Sequence, residues 1–351
     1  MKSLCINGAQ GEGGGQVVRS SLALALVTGR TVTIENVRAG RKKPGLRPQH
    51  LAAVNAVAAV CDGKVQGAQL GSQWLQFNPR PARAGNYHFN VGTAGSATLV
   101  LQTILPGLLT ADGRSTLVLE GGTHNPWAPP FDFLQRAFLP LVHRMGPRVT
   151  ASLERHGFYP AGGGRFTVTI EPHPTLAGFD LLQRGAIVSR SVCAVIANLP
   201  MHIAEREVKA MLCGMTWGSD CGRVEEVDAT GRGNVAYIEL RSEHLTELFT
   251  SFGRIGVRAE RVAFEAVEQA LAYLTSSAAV GPYLADQLIL PLGISAWQAS
   301  GAGRRRGGSY STLPLTSHTA THIEILRQFL EIDIRVDQLG DGTCLVSVGP
   351  S

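Results

Sequence analysis

At 351 residues the chain is too long for one small core, and 44% hydrophobic against 17% charged residues excludes a disordered protein. A formal net charge of +5 suits a polyanionic partner without demanding one. Six cysteines with no Cys-x-x-Cys pair give neither a disulfide framework nor a structural zinc site, and no apolar run is long enough to span a bilayer. With no signal peptide at the N-terminus, the expectation is a reduced, cytoplasmic protein without a membrane partner.

A glycine-marked turn at 11–15 opens the first pass. Residues 16–28 carry the apolar spacing of a helix, 31–37 alternate as a strand, 48–61 are helical again, and 64–69 and 74–77 read as strands. In the second pass 89–91 leads into a helix over 96–109, followed by a strand at 115–119, a helix over 131–145, and strands at 149–153 and 165–170. The third begins near Tyr283 with a helix to 290, then a strand at 309–313, a helix over 317–330, and strands at 332–336 and 344–348. This recurrence predicts an α/β (α+β) fold of three βαβαββ repeats. Residues 184–278 interrupt it with a strand at 185–190, a helix over 203–215, a strand at 233–240 and a helix over 259–275. The expected domains are therefore 1–183 with 279–351, a large catalytic unit, and 184–278, a small α/β insert.

Two loops stand out. The run from His156 to Gly164 ends in three glycines, which a tight turn or a cradle of N–H groups around an anion would each explain. The loop 300–308 is glycine-rich and strongly basic, suited to solvent or to phosphate. After it, Thr316 and Ser317 are hydroxyl N-cap candidates for a helix that carries His318 in its first turn, where backbone N–H groups can hold a phosphate. His322 lies one turn further on a mostly apolar face and reads as a buried histidine. The His-x-x-x-His spacing also suits two metal ligands, but position 319 is Thr where a zinc-protease helix carries Glu. No Gly-x-x-x-x-Gly-Lys-Ser/Thr phosphate loop is present, so spacing alone does not announce ATP.

Three segments together, in this order, are specific. They are Gly11-Glu12-Gly13-Gly14-Gly15-Gln16 followed by Arg19, the run His156 to Gly164, and Tyr283-Leu284-Ala285-Asp286-Gln287 followed by His318-Thr319-Ala320-Thr321. With them the chain resembles the RNA 3′-terminal phosphate cyclase family from end to end. The resemblance implies ATP-dependent conversion of an RNA 3′-phosphate into a 2′,3′-cyclic phosphate. His318 would be the nucleophile, passing through a histidinyl–AMP and an RNA(3′)pp(5′)A end. It further implies that Glu12 holds a divalent metal, Mg²⁺ or Mn²⁺, and that Gln102, Pro129, Tyr283, Leu284, Ala285, Asp286 and Gln287 form the ATP pocket, with adenine between Tyr283 and Pro129. Arg19, Arg38, Arg41 and His50 would meet the phosphates of ATP or the RNA end. Each has a plainer reading: Asp286 as a surface cap, Arg38 and Arg41 as a solvated basic loop, Arg19 with Glu12 as an ordinary ion pair. One departure stands out, since His322 occupies the place where the family has Asn. Silent RNA-binding relatives lose the histidine that this chain keeps at 318, and enolpyruvyl transferases of similar repeat architecture would not need it. The sequence leaves the oligomeric state open.

Overall fold

A computed structural model describes residues 3–298 and 306–351. The first unit is β1 (Leu4–Asn7), α1 (Gly15–Thr28), β2 (Val32–Glu35), α2 (Pro48–Cys61), β3 (Lys64–Gln66) and β4 (Leu75–Asn78). Its sheet runs β1-β2-β4-β3, with β1 parallel to β2 and the other pairs antiparallel. The second unit repeats the plan: β5 (Asn86–Asn90), α3 (Ala97–Leu108), β6 (Ser115–Gly121), a broken helix, β7 (Arg148–Arg155) and β8 (Gly164–Glu171), in the order β5-β6-β8-β7. The broken helix consists of α4 (Phe131–Phe133), a π-helical turn over Leu134–Phe138 and α5 (Leu139–His143). Pro140 near the start of α5 lacks the N–H that a regular helix would use, which accounts for the break in the expected helix 131–145.

Next come β9 (Ile187–Ala197), α6 (His202–Met215), β10 (Gly222–Glu226), β11 (Gly233–Ser242), β12 (Thr246–Phe252) and α7 (Ala259–Leu274). Their sheet order is β10-β9-β11-β12. The strand expected at 185–190 is the start of the longer β9, and β10 and β12 were not foreseen. The last unit holds α8 (Pro282–Trp297), β13 (Gly308–Thr312), α9 (Ser317–Phe329), β14 (Ile332–Gln338) and β15 (Cys344–Pro350), with sheet order β13-β15-β14. Here the leading strand is reduced to single parallel bridges on β13, Leu181 to Tyr310 and Val280 to Thr312. The chain thus leaves the side of β13 at 181 and returns to it at 280, and β9 to α7 lie between.

One buried cluster runs through all three units, with α1 packed against α3 and α9. A second cluster has all its buried members between Val192 and Tyr273, formed by the faces of α6 and α7 against β9 and β11. Capping fixes where the site-bearing helices start. Ser96 Oγ accepts the Leu99 N–H at 3.2 Å to open α3, Pro282 opens α8, and Thr316 Oγ1 accepts the Thr319 N–H at 3.1 Å to open α9.

Candidate active site

An open cleft of about 500 Å³ lies where α1, α3, α8 and α9 meet the loop 126–130 and strand β12; Gln16, Arg19, Gln102, Pro129, Tyr283, Asp286, Gln287, Thr316 and His318 all border it. Three of those helices, α1, α8 and α9, open towards it with their N-terminal turns. α1 has no side-chain cap, so its first-turn N–H groups stay available to an anion, whereas at α8 the Gly281 N–H is already bonded to Glu247 and Pro282 has none.

Glu12 is the hub. Its Oε2 lies 3.3 Å from His318 Nε2 and 2.9 Å from Arg41 Nη2, and the same Arg41 nitrogen donates to the Glu12 carbonyl at 3.0 Å. The Glu12 N–H donates to Thr321 Oγ1 at 3.0 Å, which fixes the loop against α9 one turn beyond His318. The glycines around it are there for room. A Cβ on Gly14 would come 2.3 Å from Glu12 Oε1 and 2.7 Å from Arg41 Nη2, and one on Gly15 would come 2.4 Å from His50 Nε2. His318 is half exposed, free to meet a ligand in the cleft.

The remaining residues sort themselves by geometry. Arg19 donates to Gln16 Oε1 at 2.8 Å and is held down to about 10 by burial, with Glu12 and Asp286 opposing the fall, so it is a cation at neutral pH. The ion pair at Glu12 is therefore with Arg41 and not Arg19. Arg38 donates to the carbonyls of Lys43 and Gly45 at 2.7 and 2.9 Å, folding the basic loop, and burial followed by the charge of Arg41 and Arg47 lowers it. His50 is 3% exposed and its Nδ1 accepts the Arg47 N–H at 3.0 Å. Burial and then Arg19 push it down to about 3, so it is a neutral ring whose Nε2 carries the proton. It can donate to an anion but adds no charge.

On α8, Tyr283, Asp286 and Gln287 share the face toward the cleft. Leu284 and Ala285 turn the other way and are buried at 0% and 1% exposure, so the pocket expected from this segment loses two of its side chains. Gln102 donates to Gln287, and Gln287 Nε2 donates to Asp286 Oδ2 at 3.1 Å. The two glutamines begin the same string, Gln-x-Ile-Leu-Pro, in α3 and α8, and the repeated helices bring them together. Thr98 Oγ1 donates to the Pro129 carbonyl at 2.8 Å and holds that ring at the cleft. His322 is buried, with Nδ1 at 3.7 Å from Asp286 Oδ1 and 3.5 Å from Gln16 Nε2.

The run His156 to Gly164 does not border the cleft. His156 stacks on His124 at 4.9 Å, a Cβ on Gly163 would meet Thr230, and Phe158 fills the space at Gly233. Two of its amides are engaged, Gly157 N–H with Thr123 Oγ1 and Gly162 N–H with the Phe158 carbonyl, and the loop packs as a seam against the segment around Thr230 and Gly233. Residues 300–305 of the basic loop lie outside the described residues. Trp127 and Arg254 border the cleft without having been singled out; the run Asn125-Pro126-Trp127-Ala128-Pro129-Pro130 was the available signal for the first.

No group of three or more His, Cys, Asp or Glu side chains that could hold a metal occurs among the described residues, nor a helix long and apolar enough to cross a membrane. A divalent ion here would rest on the Glu12 carboxylate and on oxygens of a bound ligand, the usual manner of Mg²⁺ with phosphates.

The family model described as RNA 3′-terminal phosphate cyclase matches residues 10–336. The chain is 44% identical over 339 residues to the RNA 3′-terminal phosphate cyclase of Koribacter versatilis, covering 96% of this chain and 93% of that one. To the proteins of the same name from Pseudomonas fluorescens and Ralstonia nicotianae it is 46% and 45% identical, covering 94% and 96% of this chain and 93% and 94% of theirs. With a match of that extent and a cleft whose helix ends and charged side chains suit a phosphorylated ligand, the chain belongs to the RNA 3′-terminal phosphate cyclase family.

Proposed function

We propose that this cleft catalyses the ATP-dependent cyclisation of an RNA 3′-terminal phosphate to a 2′,3′-cyclic phosphate, with His318 as the nucleophile. The observation that carries this is the placement of His318, half exposed in the first turn of α9, facing Glu12 in a cleft ringed by helix N-termini and Arg19.

An imidazole nitrogen of His318 forms a bond to the α-phosphorus of ATP as the bond to the bridging oxygen breaks and pyrophosphate leaves. The ring gains positive charge in that step, and the Glu12 carboxylate beside Nε2 steadies it and can accept its proton. A 3′-phosphate oxygen of the RNA then attacks the same phosphorus and His318 leaves, giving RNA(3′)pp(5′)A. The vicinal 2′-oxygen, held beside its target by the ribose itself, closes on the 3′-phosphorus and AMP departs. Arg19, Arg41 and the N–H groups of α1 and α9 bind the phosphates, with Arg38 shaping the loop and His50 donating from Nε2. Adenine lies between Tyr283 and Pro129, with Asp286, Gln287 and Gln102 completing its pocket. A Mg²⁺ or Mn²⁺ ion held by Glu12 would neutralise phosphate charge. Residues 184–278 act as an inserted folding unit, a reading their own buried cluster supports. The protein works in the cytoplasm on RNA.

The test is to incubate the protein with ATP radiolabelled at the α-phosphate and a divalent metal, denature it, and look for label on the polypeptide. Label that is absent in His318→Ala and is discharged by RNA bearing a 3′-phosphate is expected. An unlabelled wild-type protein would remove His318 from the role of nucleophile.

A further inference from the structure

Trp127 is 94% exposed and stands at φ 60°, a left-handed conformation that bulky side chains rarely adopt. Such a conformation persists only where the surroundings enforce it, and it concentrates at places that hold ligands. The enforcement is visible on both sides. Asn125 Nδ2 donates to the Ala94 carbonyl at 2.6 Å, the Phe131 N–H donates to the Thr123 carbonyl at 3.0 Å, and the Pro129 carbonyl is held by Thr98. Pro126, Pro129 and Pro130 stiffen what lies between. A large indole is thus presented to solvent by a rigid loop at the border of the cleft that contains His318.

Its exposure decides what it meets. Tyr283 is 53% exposed and Pro129 partly buried, so both are more covered than Trp127. A nucleoside triphosphate can be enclosed at that covered level. An RNA end cannot, because the chain behind its last nucleotide must leave over the rim. Single-stranded bases at such a rim are unstacked, and aromatic faces receive them with little regard to sequence. Arg254 borders the same cleft but is paired there with Glu265, so the stacking face and not a free charge is what the rim offers.

Resting on the reading that this cleft takes RNA with a 3′-phosphate, we propose that Trp127 is the stacking platform for the nucleobase of the RNA's 3′-terminal nucleotide. Stacking there sets the terminal ribose and its phosphate against His318. The test measures two steps separately in wild type, Trp127→Ala and Trp127→Phe: labelling of the protein by ATP without RNA, and cyclisation of 3′-phosphorylated RNA whose terminal nucleotide is either intact or abasic. Trp127→Ala should raise KM for intact RNA about tenfold or more, Trp127→Phe should recover most of that, and the abasic substrate should not distinguish the variants. Labelling by ATP should change less than twofold. Equal losses on intact and abasic RNA would overturn the proposal, as would a loss confined to the labelling step, which would assign Trp127 to adenine. Wild-type protein that neither labels nor cyclises would remove the cyclase reading itself, and this inference with it.

Discussion

The carboxyl of Glu247 on β12 is 2% exposed and receives the Gly281 N–H at 2.6 Å. Gly281 is the N-cap of α8, so this bond ties the segment 184–278 to the helix that carries Tyr283, Asp286 and Gln287. Burial pushes the carboxyl up from 4.5 to about 8, against the opposing pull of the Gly281 N–H. An acid raised in this way binds its proton more tightly in the folded state than in the unfolded one. Its contribution to stability is therefore complete below pH 4.5 and is lost as pH rises through 8. Over that whole span the coupling is worth roughly 5 kcal/mol, or about 1.4 kcal/mol per pH unit. Glu247→Gln keeps an oxygen for the Gly281 N–H and cannot ionise. Urea unfolding followed from pH 5 to 9 should show wild-type stability falling relative to the variant at about that slope, levelling off above pH 8. Glu207, raised to about 7 by burial, has the same sign, and His50 and His156, lowered by burial to about 3 and 4, have the opposite one. All three are present in both proteins and cancel in the difference. A difference that is flat with pH would mean that Glu247 is ionised in the folded protein, and the reasoning from burial would fail.

Gly11 sits at φ 57°, and a Cβ there would approach Thr321 Oγ1, the acceptor of the Glu12 N–H, to 2.2 Å. Gly11→Ala should cost about 2 kcal/mol from backbone strain and the lost hydrogen bond, and should slow labelling of the protein by ATP because Glu12 shifts from His318; unchanged labelling kinetics would contradict the role given to this loop. Thr316→Ala removes the cap of α9 and should lower stability by about 1 kcal/mol, again with slower labelling, whereas Thr316→Ser, keeping the hydroxyl, should restore both in thermal unfolding and label-transfer assays.

Helices were legible in the chain where apolar spacing met a start signal, Pro48 for α2 and Thr316 for α9. Strands were legible where they alternate, as β6 and β8 do with every second residue buried. Four-residue β1 is too short to carry a period, and the apolar end of β9, Val192 to Ala197, has no alternation to read. Pro291 gives a reason to end α8 at 290, yet the helix continues to Trp297 because both sides of it are packed in the core. At the site, helical spacing puts Asp286 and Gln287 three and four residues from Tyr283 and so on its face, but burial is what turns Leu284 and Ala285 away. What the chain could not disclose was the pairing. Which arginine meets Glu12 depends on how the loop 38–45 folds back, and whether His50 is charged depends on burial that three separate elements create.

The repeated architecture explains how an anion site arises without a phosphate-loop motif. In each of the first two units a leading strand delivers a helix whose N-terminal end sits at the same edge of its sheet, and α8 follows the reduced strand at Val280 in the same way. Packing α1 against α3 and α9 then gathers helix starts from different units around one cleft. Their dipoles and the uncapped N–H groups of α1 favour negative charge there, and Arg19 adds a cation whose burial keeps solvent screening low. The net charge of +5 is a weaker argument for anion binding than this convergence, because surface charge is screened within about 10 Å at ordinary salt.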